Sequence, residues 1–485
     1  MSRKTSLSVL VPAYNEQYLI HASLDRLREL GHSPLLSRVK VIVVDDCSTD
    51  GTATALQQFR ASIPPEPTGA TFEWVFLRHD RNRGKGAAIR TALARADTEL
   101  SVIHDADLEY HPRDLLKMIP LFLDDDADAV FGSRFLTAEF RRVLFFRHEL
   151  GNKLLTFLCD LVSDLNLSDM ETCYKMVRTR LLQSIPLESL DFRIEPELTI
   201  KLAKRGARIF EIPVNYSGRT YQEGKKINWR DGYRAIAAIT KFALSDRIYT
   251  DDAGLGRVLA RLRRARNLNR WMSDSLRPHL GQRVLEVGAG LGTLTLSLVP
   301  RECYWATDSN PIFLDELRHL ARNRPYLQVG STDVRDRSSF PKGQAFDTVV
   351  SVNVLEYIQD DVEALRNMAE VLGERGRVVA MVPQGPGLYG TLDETFGHCR
   401  RYNREQVVAM GRAAGLKVLE VRELDRMGSL GWWVNGRLLR RRTLGLAQLK
   451  LFDAAVPLLR RVDHWLPFPA LSLVAVFEKA AAVAS

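Results

Sequence analysis

Leu100-Ser101-Val102-Ile103-His104-Asp105-Ala106-Asp107-Leu108-Glu109-Tyr110 runs from an apolar strand straight into two carboxylates. Alternate residues of an extended backbone share a face. Asp105 and Asp107 can therefore both reach one hard cation, Mg²⁺ or Mn²⁺, which in turn takes diphosphate oxygens. Read alone, Asp-x-Asp also fits a polar turn that ends a strand. The flanking sequence decides between the two.

Working outward, the same pattern recurs upstream. Leu7 to Val11 reads as an apolar strand stopped by Pro12-Ala13-Tyr14-Asn15-Glu16, after which Leu19, Ile20, Leu24 and Leu27 recur at helical spacing. Val41-Ile42-Val43-Val44 reads as a buried parallel strand closed by Asp45-Asp46-Cys47-Ser48-Thr49-Asp50-Gly51-Thr52. A proline-rich loop near Ile63 to Pro67 leads to a strand at Trp74 to Leu77, and Asn82-Arg83-Gly84-Lys85-Gly86 precedes an alanine-rich helix. Successive strand ends thus carry polar residues into loops, and open α/β sheets bind ligands at the carboxyl ends of their strands. Singly, Asn15 also fits a helix cap, Asp50-Gly51 a turn and Gly84 to Gly86 a strand breaker.

In this order, Val-Pro-Ala-Tyr-Asn-Glu, Val-Val-Asp-Asp-Cys-Ser-Thr-Asp-Gly-Thr, Asn-Arg-Gly-Lys-Gly and Asp-Ala-Asp resemble the inverting family 2 glycosyltransferases of GT-A fold. Phe131-Gly132-Ser133-Arg134, Ser168-Asp169-Met170-Glu171-Thr172, Phe192-Arg193-Ile194-Glu195-Pro196-Glu197 and Arg219-Thr220-Tyr221-Gln222-Glu223-Gly224-Lys225 resemble the branch with dolichyl-phosphate mannosyltransferase and polyprenyl-phosphate glycosyltransferases. The resemblance covers roughly residues 5 to 240. It implies that Pro12, Tyr14, Glu16 and Asp46 hold the nucleoside and that Asp105, Asp107 and Glu109 hold the metal. With the metal, Arg219 and Lys225 would stabilise the departing diphosphate, and Arg134 would meet the acceptor's phosphate. A phosphate acceptor is ionised near neutral pH and needs no strong base, whereas an alcohol does. Asp169 is the candidate base or substrate-orienting group, or else the cap of a helix before Cys173, with Glu195 and Glu197 as alternates. Asp124 to Asp126 reads as a solvated loop.

Phe140 to Arg147 mixes bulky apolar and basic residues before a helical pattern through Leu154, Leu155 and Leu158, and Trp229 to Leu244 carries Tyr233, Ile236, Ile239 and Phe242. Both fit helices lying on a membrane, or domain helices with basic rims. Six arginines between Arg257 and Arg270 read as the solvated face of a linking helix or an attraction for anionic lipid.

A second α/β pattern begins at Arg283. Glu286-Val287-Gly288-Ala289-Gly290-Leu291-Gly292-Thr293 makes a glycine turn before a helix, with a spacing unlike the dinucleotide Gly-x-Gly-x-x-Gly. With Ala306-Thr307-Asp308, Ser331-Thr332-Asp333 and Ser351-Val352-Asn353-Val354-Leu355-Glu356-Tyr357, it resembles the class I S-adenosylmethionine methyltransferases over roughly residues 258 to 480. Glu286, Gly288, Gly290, Gly292, Asp308, Asp333 and Asn353 would then bind the cofactor, Asp308 at the ribose and Asp333 at the adenine. Methyl transfer from a sulfonium is chiefly a matter of alignment. Tyr389, His398, Arg400, Arg401 and Tyr402 fall in a loop where the fold often contacts substrate, although structural roles suit most of them. Leu444 to Leu466 is amphipathic with breaks at Pro457 and Pro467, and Leu471 to Phe477 reads as a last strand.

The expected fold is therefore α/β throughout: a GT-A glycosyltransferase domain over residues 1–245, a basic helical linker and methyltransferase N-terminal helix over 246–280, and a Rossmann-like methyltransferase domain over 281–480. At 485 residues, 45% hydrophobic and 26% charged, the chain is long enough for two cores. Its charge of +9 admits nucleic acid, anionic membrane or phosphorylated substrates. Without zinc-finger spacing or an aromatic RNA-binding signature, no nucleic-acid partner is expected. Five scattered cysteines without Cys-x-x-Cys, and a start without a signal-peptide pattern, point to the cytoplasm. No apolar run reaches the roughly 20 residues that span a bilayer, so any membrane association is peripheral, on the cytoplasmic face. The expected activity is metal-dependent sugar transfer from a nucleoside diphosphate to a polyprenyl or dolichyl phosphate, with S-adenosylmethionine-dependent methylation of a glycan or glycolipid. The alternative is transfer to a saccharide hydroxyl beside an independent small-molecule methyltransferase.

Overall fold

Continuous apolar runs buried on both faces set two parallel-rich sheets, as expected where helices cover both sides. The computed structural model describes residues 4–63, 69–136, 146–218, 229–250 and 255–480, and the chain divides into two units, Met1–Thr250 and Asp251–Ser485.

In the first unit, strands β1 (Thr5–Ala13), β2 (Leu36–Asp45), β3 (Thr71–Arg78), β4 (Leu100–Ile103), β5 (Ala129–Ser133), β6 (Lys175–Arg178) and β7 (Ile209–Pro213) lie in the order β3-β2-β1-β4-β6-β5-β7. Only β6 is reversed, pairing antiparallel with β4 and β5. Ala13 stands beside Asp45, Asp45 beside Arg78 and Leu10 beside Ile103. The loops after β1, β2 and β4 therefore leave the sheet along one edge. Strand β1 is not stopped by Pro12; it continues through that residue, in register with Val44, to Ala13.

Two helices of this unit, Phe146–Ser163 and Trp229–Leu244, pack together. Cys159, Met170, Ile200, Ala238, Ile239 and Phe242 make their shared core, with Leu155 and Leu158 against it. The apolar residues left in solvent include Leu150, Leu154, Phe157 and Leu161 on the first helix, each more than half exposed, and Tyr233, Ile236 and Leu244 on the second. Sequence periodicity finds an amphipathic helix but not which stripe another helix covers. The stretch Phe140 to Phe145 lies outside the described residues.

In the second unit, β8 (Arg283–Val287), β9 (Cys303–Asp308), β10 (Leu327–Ser331), β11 (Phe346–Val352), β12 (Leu372–Pro383), β13 (Leu416–Leu424) and β14 (Ser472–Lys479) lie in the order β10-β9-β8-β11-β12-β14-β13. Strand β14 runs antiparallel to both neighbours. The chain reverses its direction of growth between β8 and β11, which makes the end of β8 the switch point where such sheets bind ligands. The arginine-rich stretch folds as two helices, Leu255–Leu262 and Arg266–Leu276, and the second buries Trp271 and Leu276 against Val379, Met381, Leu424 and Val456. The amphipathic segment is one helix, Leu446–Val462, continuous through Pro457. Among the described residues no helix is long and apolar enough to cross a membrane.

Candidate active sites of the two units

The loops at the carboxyl edge of the first sheet are stitched together. Asn15, at φ 53°, donates its backbone N–H to the Ser48 hydroxyl at 3.0 Å, and its side-chain oxygen accepts the Thr49 N–H at 2.8 Å. The Glu16 N–H reaches the Thr52 hydroxyl at 2.8 Å. Asn15 therefore does not cap the following helix, which starts at Ile20. Pro12, Tyr14 and Glu16 sit on this stitched edge. Asp46 turns inward: it is buried, its carboxylate accepts the Arg83 and Gly84 N–H groups at 2.9 and 2.6 Å, and it meets His79 Nδ1 at 2.6 Å. What Asp46 holds in the structure is the glycine-containing loop.

That loop needs its glycines. Gly84 has φ 92°, and a Cβ there would overlap the Leu190 carbonyl oxygen, as one at Gly86 would overlap that of Ser189. The close approach of the 189–190 backbone delivers Lys85, at the start of its helix, to Asp105, with Nζ 2.9 Å from Oδ1 and 3.1 Å from Oδ2. Lys85 also lies 3.2 Å from Glu195, and Glu195 accepts from the buried Lys175 Nζ at 2.6 Å. Lys175 in turn holds the Met170 and Thr172 carbonyls, each at 2.7 Å. Opposite charges thus alternate from Asp105 through Lys85 and Glu195 to Lys175. Burial works against charge on Lys85 and on Asp105, but the groups around each, the other foremost among them, together outweigh it, so the ammonium is raised well above its usual value and the carboxyl held below its own. Glu197 is a backbone clamp, taking the Glu188 and Ser189 N–H groups at 2.7 Å each and Lys201 at 2.6 Å.

Beyond Asp105, the Asp107 carboxylate accepts the Glu109 N–H at 3.0 Å, while the Glu109 carboxylate accepts from Tyr216 at 2.8 Å. Among the described residues no three Asp, Glu, His or Cys side chains come together as a metal-binding group. Glu109 therefore does not close a triad with Asp105 and Asp107. His104 is buried between Tyr174 and Ser23, and burial pushes its imidazole down to about 4, so it is neutral.

Arg134 and Asp169 are joined. The guanidinium forks onto the fully buried carboxylate through Nε and Nη2, each at 2.6 Å, and the Arg134 backbone N–H adds a third bond at 3.0 Å. There is no helix between Ser168 and Cys173 for Asp169 to cap; both its oxygens are committed to Arg134. Burial opposes charge on Arg134, and Asp169 outweighs it. Glu171, in the same motif, was missed by the sequence reading although two residues from Asp169. Its Oε1 is buried without a hydrogen-bond partner, and burial pushes its carboxyl up to about 7. Arg219 and Lys225 lie outside the described residues.

In the second unit the chain leaves β8 through Gly288, Gly290 and Gly292, all at positive φ. A Cβ at Gly288 would overlap Val354, whereas one at Gly290 would meet only Leu259, at 3.5 Å. The Gly290 N–H donates to Asp308 at 2.9 Å, and the other Asp308 oxygen accepts the Asn310 N–H at 2.8 Å. Asn353, at φ 52°, donates its N–H to the Met381 carbonyl at 2.9 Å. The glycine turn, Asp308 and the 353–354 segment therefore meet at the switch point. Glu286 is buried beneath them, accepting from Thr295 at 2.6 Å and Tyr304 at 3.0 Å, and burial raises its carboxyl. Asp333 turns to Arg335 at 2.7 Å, which lowers its carboxyl. The helix after the glycine turn is only Thr295–Leu298.

In the 389–402 loop, Arg401 is spent on Asp393 at 2.8 Å and the Gln384 carbonyl at 2.7 Å, Tyr402 on Asp361 at 2.8 Å, Arg400 on Asp361 at 3.2 Å, and Tyr389 on the His398 carbonyl at 2.8 Å. His398 Nδ1 also meets Asp393, at 3.0 Å. The basic residues of the loop are thus already paired with acids and carbonyls.

Comparison with known proteins agrees with this division. Residues 8–185 match the family model for Glycosyl transferase family 2, and residues 285–378 match that for a methyltransferase domain. The family 2 glycosyltransferase match therefore falls in the first unit and the methyltransferase match in the second. The chain is similar to the UDP-N-acetylglucosamine–dolichyl-phosphate N-acetylglucosaminyltransferase of Methanococcus voltae, 23% identical over 47% of this chain and 91% of that protein. It is also similar to the undecaprenyl-phosphate mannosyltransferase of Micrococcus luteus, 26% identical over 49% of this chain and 94% of the relative. A solved structure similar to the chain is the N-methyltransferase NodS from Bradyrhizobium japonicum with S-adenosyl-L-homocysteine, at 17% identity and TM-score 0.29, covering 45% of this chain and 87% of that one.

Proposed function

We propose that the first unit transfers a sugar from a nucleoside diphosphate to a polyprenyl phosphate with the help of a divalent cation, and that the second methylates the resulting glycolipid or a glycan built on it. The observation that carries the first step is the placing of Asp105 and Asp107 at the end of β4, with Lys85 on Asp105, on the edge that also gathers the loops after β1 and β2. Mg²⁺ and Mn²⁺ are commonly held by one or two carboxylates plus substrate phosphates, so two aspartates without a third protein carboxylate fit the ion. When bound, the cation would neutralise charge developing on the diphosphate. Pro12, Tyr14 and Glu16 would line the nucleoside, and Lys85 would add positive charge beside Asp105. Asp46 would act through the loop it holds, and Arg134, pinned by Asp169 and stacked over Tyr216, would present its outer edge to the acceptor phosphate. Arg219 and Lys225 remain assigned to the leaving diphosphate.

The names of the two relatives specify dolichyl and undecaprenyl phosphates, which supports a lipid-phosphate acceptor. The row Leu150, Leu154, Phe157 and Leu161 supports it independently. These residues follow helical spacing on one exposed face, as in helices that lie in a lipid interface. In the second unit, the left-handed glycine turn, open at Gly290 and tied to Asp308, fits S-adenosylmethionine, which would supply the methyl group.

The test is transfer from a panel of radiolabelled sugar nucleotides with Mn²⁺, with and without polyprenyl phosphate, for the wild type and Asp107→Ala. Label in the organic phase that requires the lipid and is lost in the variant is the expected result. Transfer only to water-soluble saccharides would overturn the lipid acceptor.

A further inference from the structure

Glu356 and His398 pose a problem that cofactor binding does not absorb. Glu356 is fully buried, and neither carboxyl oxygen has a hydrogen-bond partner on another residue. Its Oε1 lies 3.9 Å from His398 Nε2, too far for a direct bond. A buried polar group left unsatisfied calls for a specific explanation.

The other face of the imidazole is fully specified. Nδ1 lies 3.0 Å from Asp393, whose carboxylate also accepts from Arg401 at 2.8 Å, Trp432 Nε1 at 3.0 Å and the Gly390 N–H at 3.1 Å. Burial raises the Asp393 carboxyl, but its His398, Arg401 and Trp432 partners outweigh this and hold it below its usual value. An ionised carboxylate only accepts hydrogen bonds, so Nδ1 carries a proton, and in the neutral tautomer this leaves the lone pair on Nε2. The rings of Tyr357 and Phe396 pack against the imidazole, at 5.0 and 5.5 Å between centroids.

The position of the pair is equally specific. Val354 packs against Gly288 of the glycine turn, and Glu356 follows two residues later. The Cys399 N–H donates to the Glu356 carbonyl at 2.7 Å and the Tyr402 hydroxyl to the Leu355 carbonyl at 3.1 Å, so the His398 loop is pinned to the same segment.

We propose that the methyl acceptor presents a neutral hydroxyl between Glu356 and His398, and that His398 Nε2 takes its proton. The inference rests on reading the second unit as a methyltransferase. Contacts of about 2.8 Å to both atoms close a triangle over the 3.9 Å gap. S-adenosylmethionine, when bound, supplies the methyl group, its sulfur keeping the S–C electron pair and leaving as a neutral thioether. The acceptor oxygen forms the new C–O bond, and its proton passes to Nε2, giving an imidazolium that Asp393 stabilises. Asp393 is a positioning residue; His398 and Glu356 touch the acceptor. Burial pushes the Glu356 carboxyl up to about 8, so it stays neutral near pH 7. The arginines of the loop are already paired with Asp393 and Asp361, which leaves a neutral hydroxyl as the acceptor that Glu356 and Nε2 fit.

The test uses the full chain. Nitrogen NMR of ring-labelled protein without cofactor, with His398 assigned through His398→Gln, should show one tautomer at pH 7.5, protonated at Nδ1, that becomes mixed in Asp393→Asn. Methyl transfer from radiolabelled S-adenosylmethionine to octyl glucoside and octyl mannoside should fall about 100-fold or more in His398→Gln, with calorimetric cofactor affinity unchanged. A proton on Nε2 in the wild type, a variant rate above one tenth of wild type, or transfer to octyl phosphate or octylamine but to no glycoside would each overturn the proposal, as would no transfer at all. Loss of cofactor binding in the wild type would instead overturn the parent reading, and the calorimetry reads that separately.

Discussion

Asp169→Asn is the sharpest perturbation of the first unit, because it changes one charge and almost no volume. The Arg134 guanidinium is buried and both its forked bonds end on Asp169, at 2.6 Å each. Removing the carboxylate charge leaves that cation without a counter-charge, a loss of about 3–5 kcal/mol for a buried pair. Arg134→Met should cost a similar amount by stranding the carboxylate. In the double variant Arg134→Met/Asp169→Asn no charge is buried, and the asparagine oxygen can still accept the residue 134 N–H. Only an underused amide remains, worth about 1–3 kcal/mol. The double variant should therefore be at least about 3 kcal/mol more stable than the sum of the singles implies. Hydrogen exchange of the β5 and β6 amides reads the opening free energy of this unit without assuming that the whole chain unfolds in one step. A cost below about 1 kcal/mol for Asp169→Asn, or additive singles, would refute the pairing. Sugar transfer should be lost in the double variant even though its fold is retained.

Gly86→Ala should destabilise the first unit by about 1–3 kcal/mol, because its Cβ overlaps the Ser189 carbonyl oxygen; hydrogen exchange of the Lys85–Leu93 helix checks this. Gly288→Ala should unsettle the second unit by pressing on Val354, while Gly290→Ala, with an ordinary contact to Leu259 and left-handed strain of about 1–2 kcal/mol, should stay folded and weaken S-adenosylmethionine binding; calorimetry separates the two. Glu356 has a folded pKa raised to about 8 from an ordinary 4.5. Between those values the folded state holds a proton that the unfolded state has released, so its contribution falls as pH rises, by up to about 1.4 kcal/mol per pH unit. Glu356→Gln should remove that slope, and melting curves from pH 5 to 8 would show it. Phe157→Glu should reduce sedimentation with phospholipid vesicles while leaving the unit's hydrogen exchange unchanged.

The strands were legible because a parallel strand buried on both faces writes itself as an unbroken apolar run, as at Val41 to Val44. The edge of each sheet was legible because polar residues follow those runs. Partnerships across loops were not. Arg134 and Asp169 stand 35 residues apart, and nothing local says that the arginine meets that aspartate before it meets a substrate. Asp46 reads as a ligand-facing acid until the Arg83 and Gly84 amides fold back onto it. The Gly84 and Gly86 pair marked a special loop, yet its cause is the approach of Ser189 and Leu190, about a hundred residues away. Pro457 reads as a break, but packing of Val456 and Leu449 carries the helix through it. Glu356 sat inside a motif that was read, and only its burial without partners sets it apart.

On the proposed reading, both units work in succession on one lipid-linked product. This is tested most directly by incubating the protein with radiolabelled S-adenosylmethionine, Mn²⁺ and polyprenyl phosphate, with and without the sugar nucleotide, and counting methyl label in the organic phase. Label that appears only when the sugar nucleotide is present, and vanishes with Asp107→Ala, is the predicted result. Equal label without the sugar nucleotide, or methylation confined to water-soluble acceptors, would contradict it.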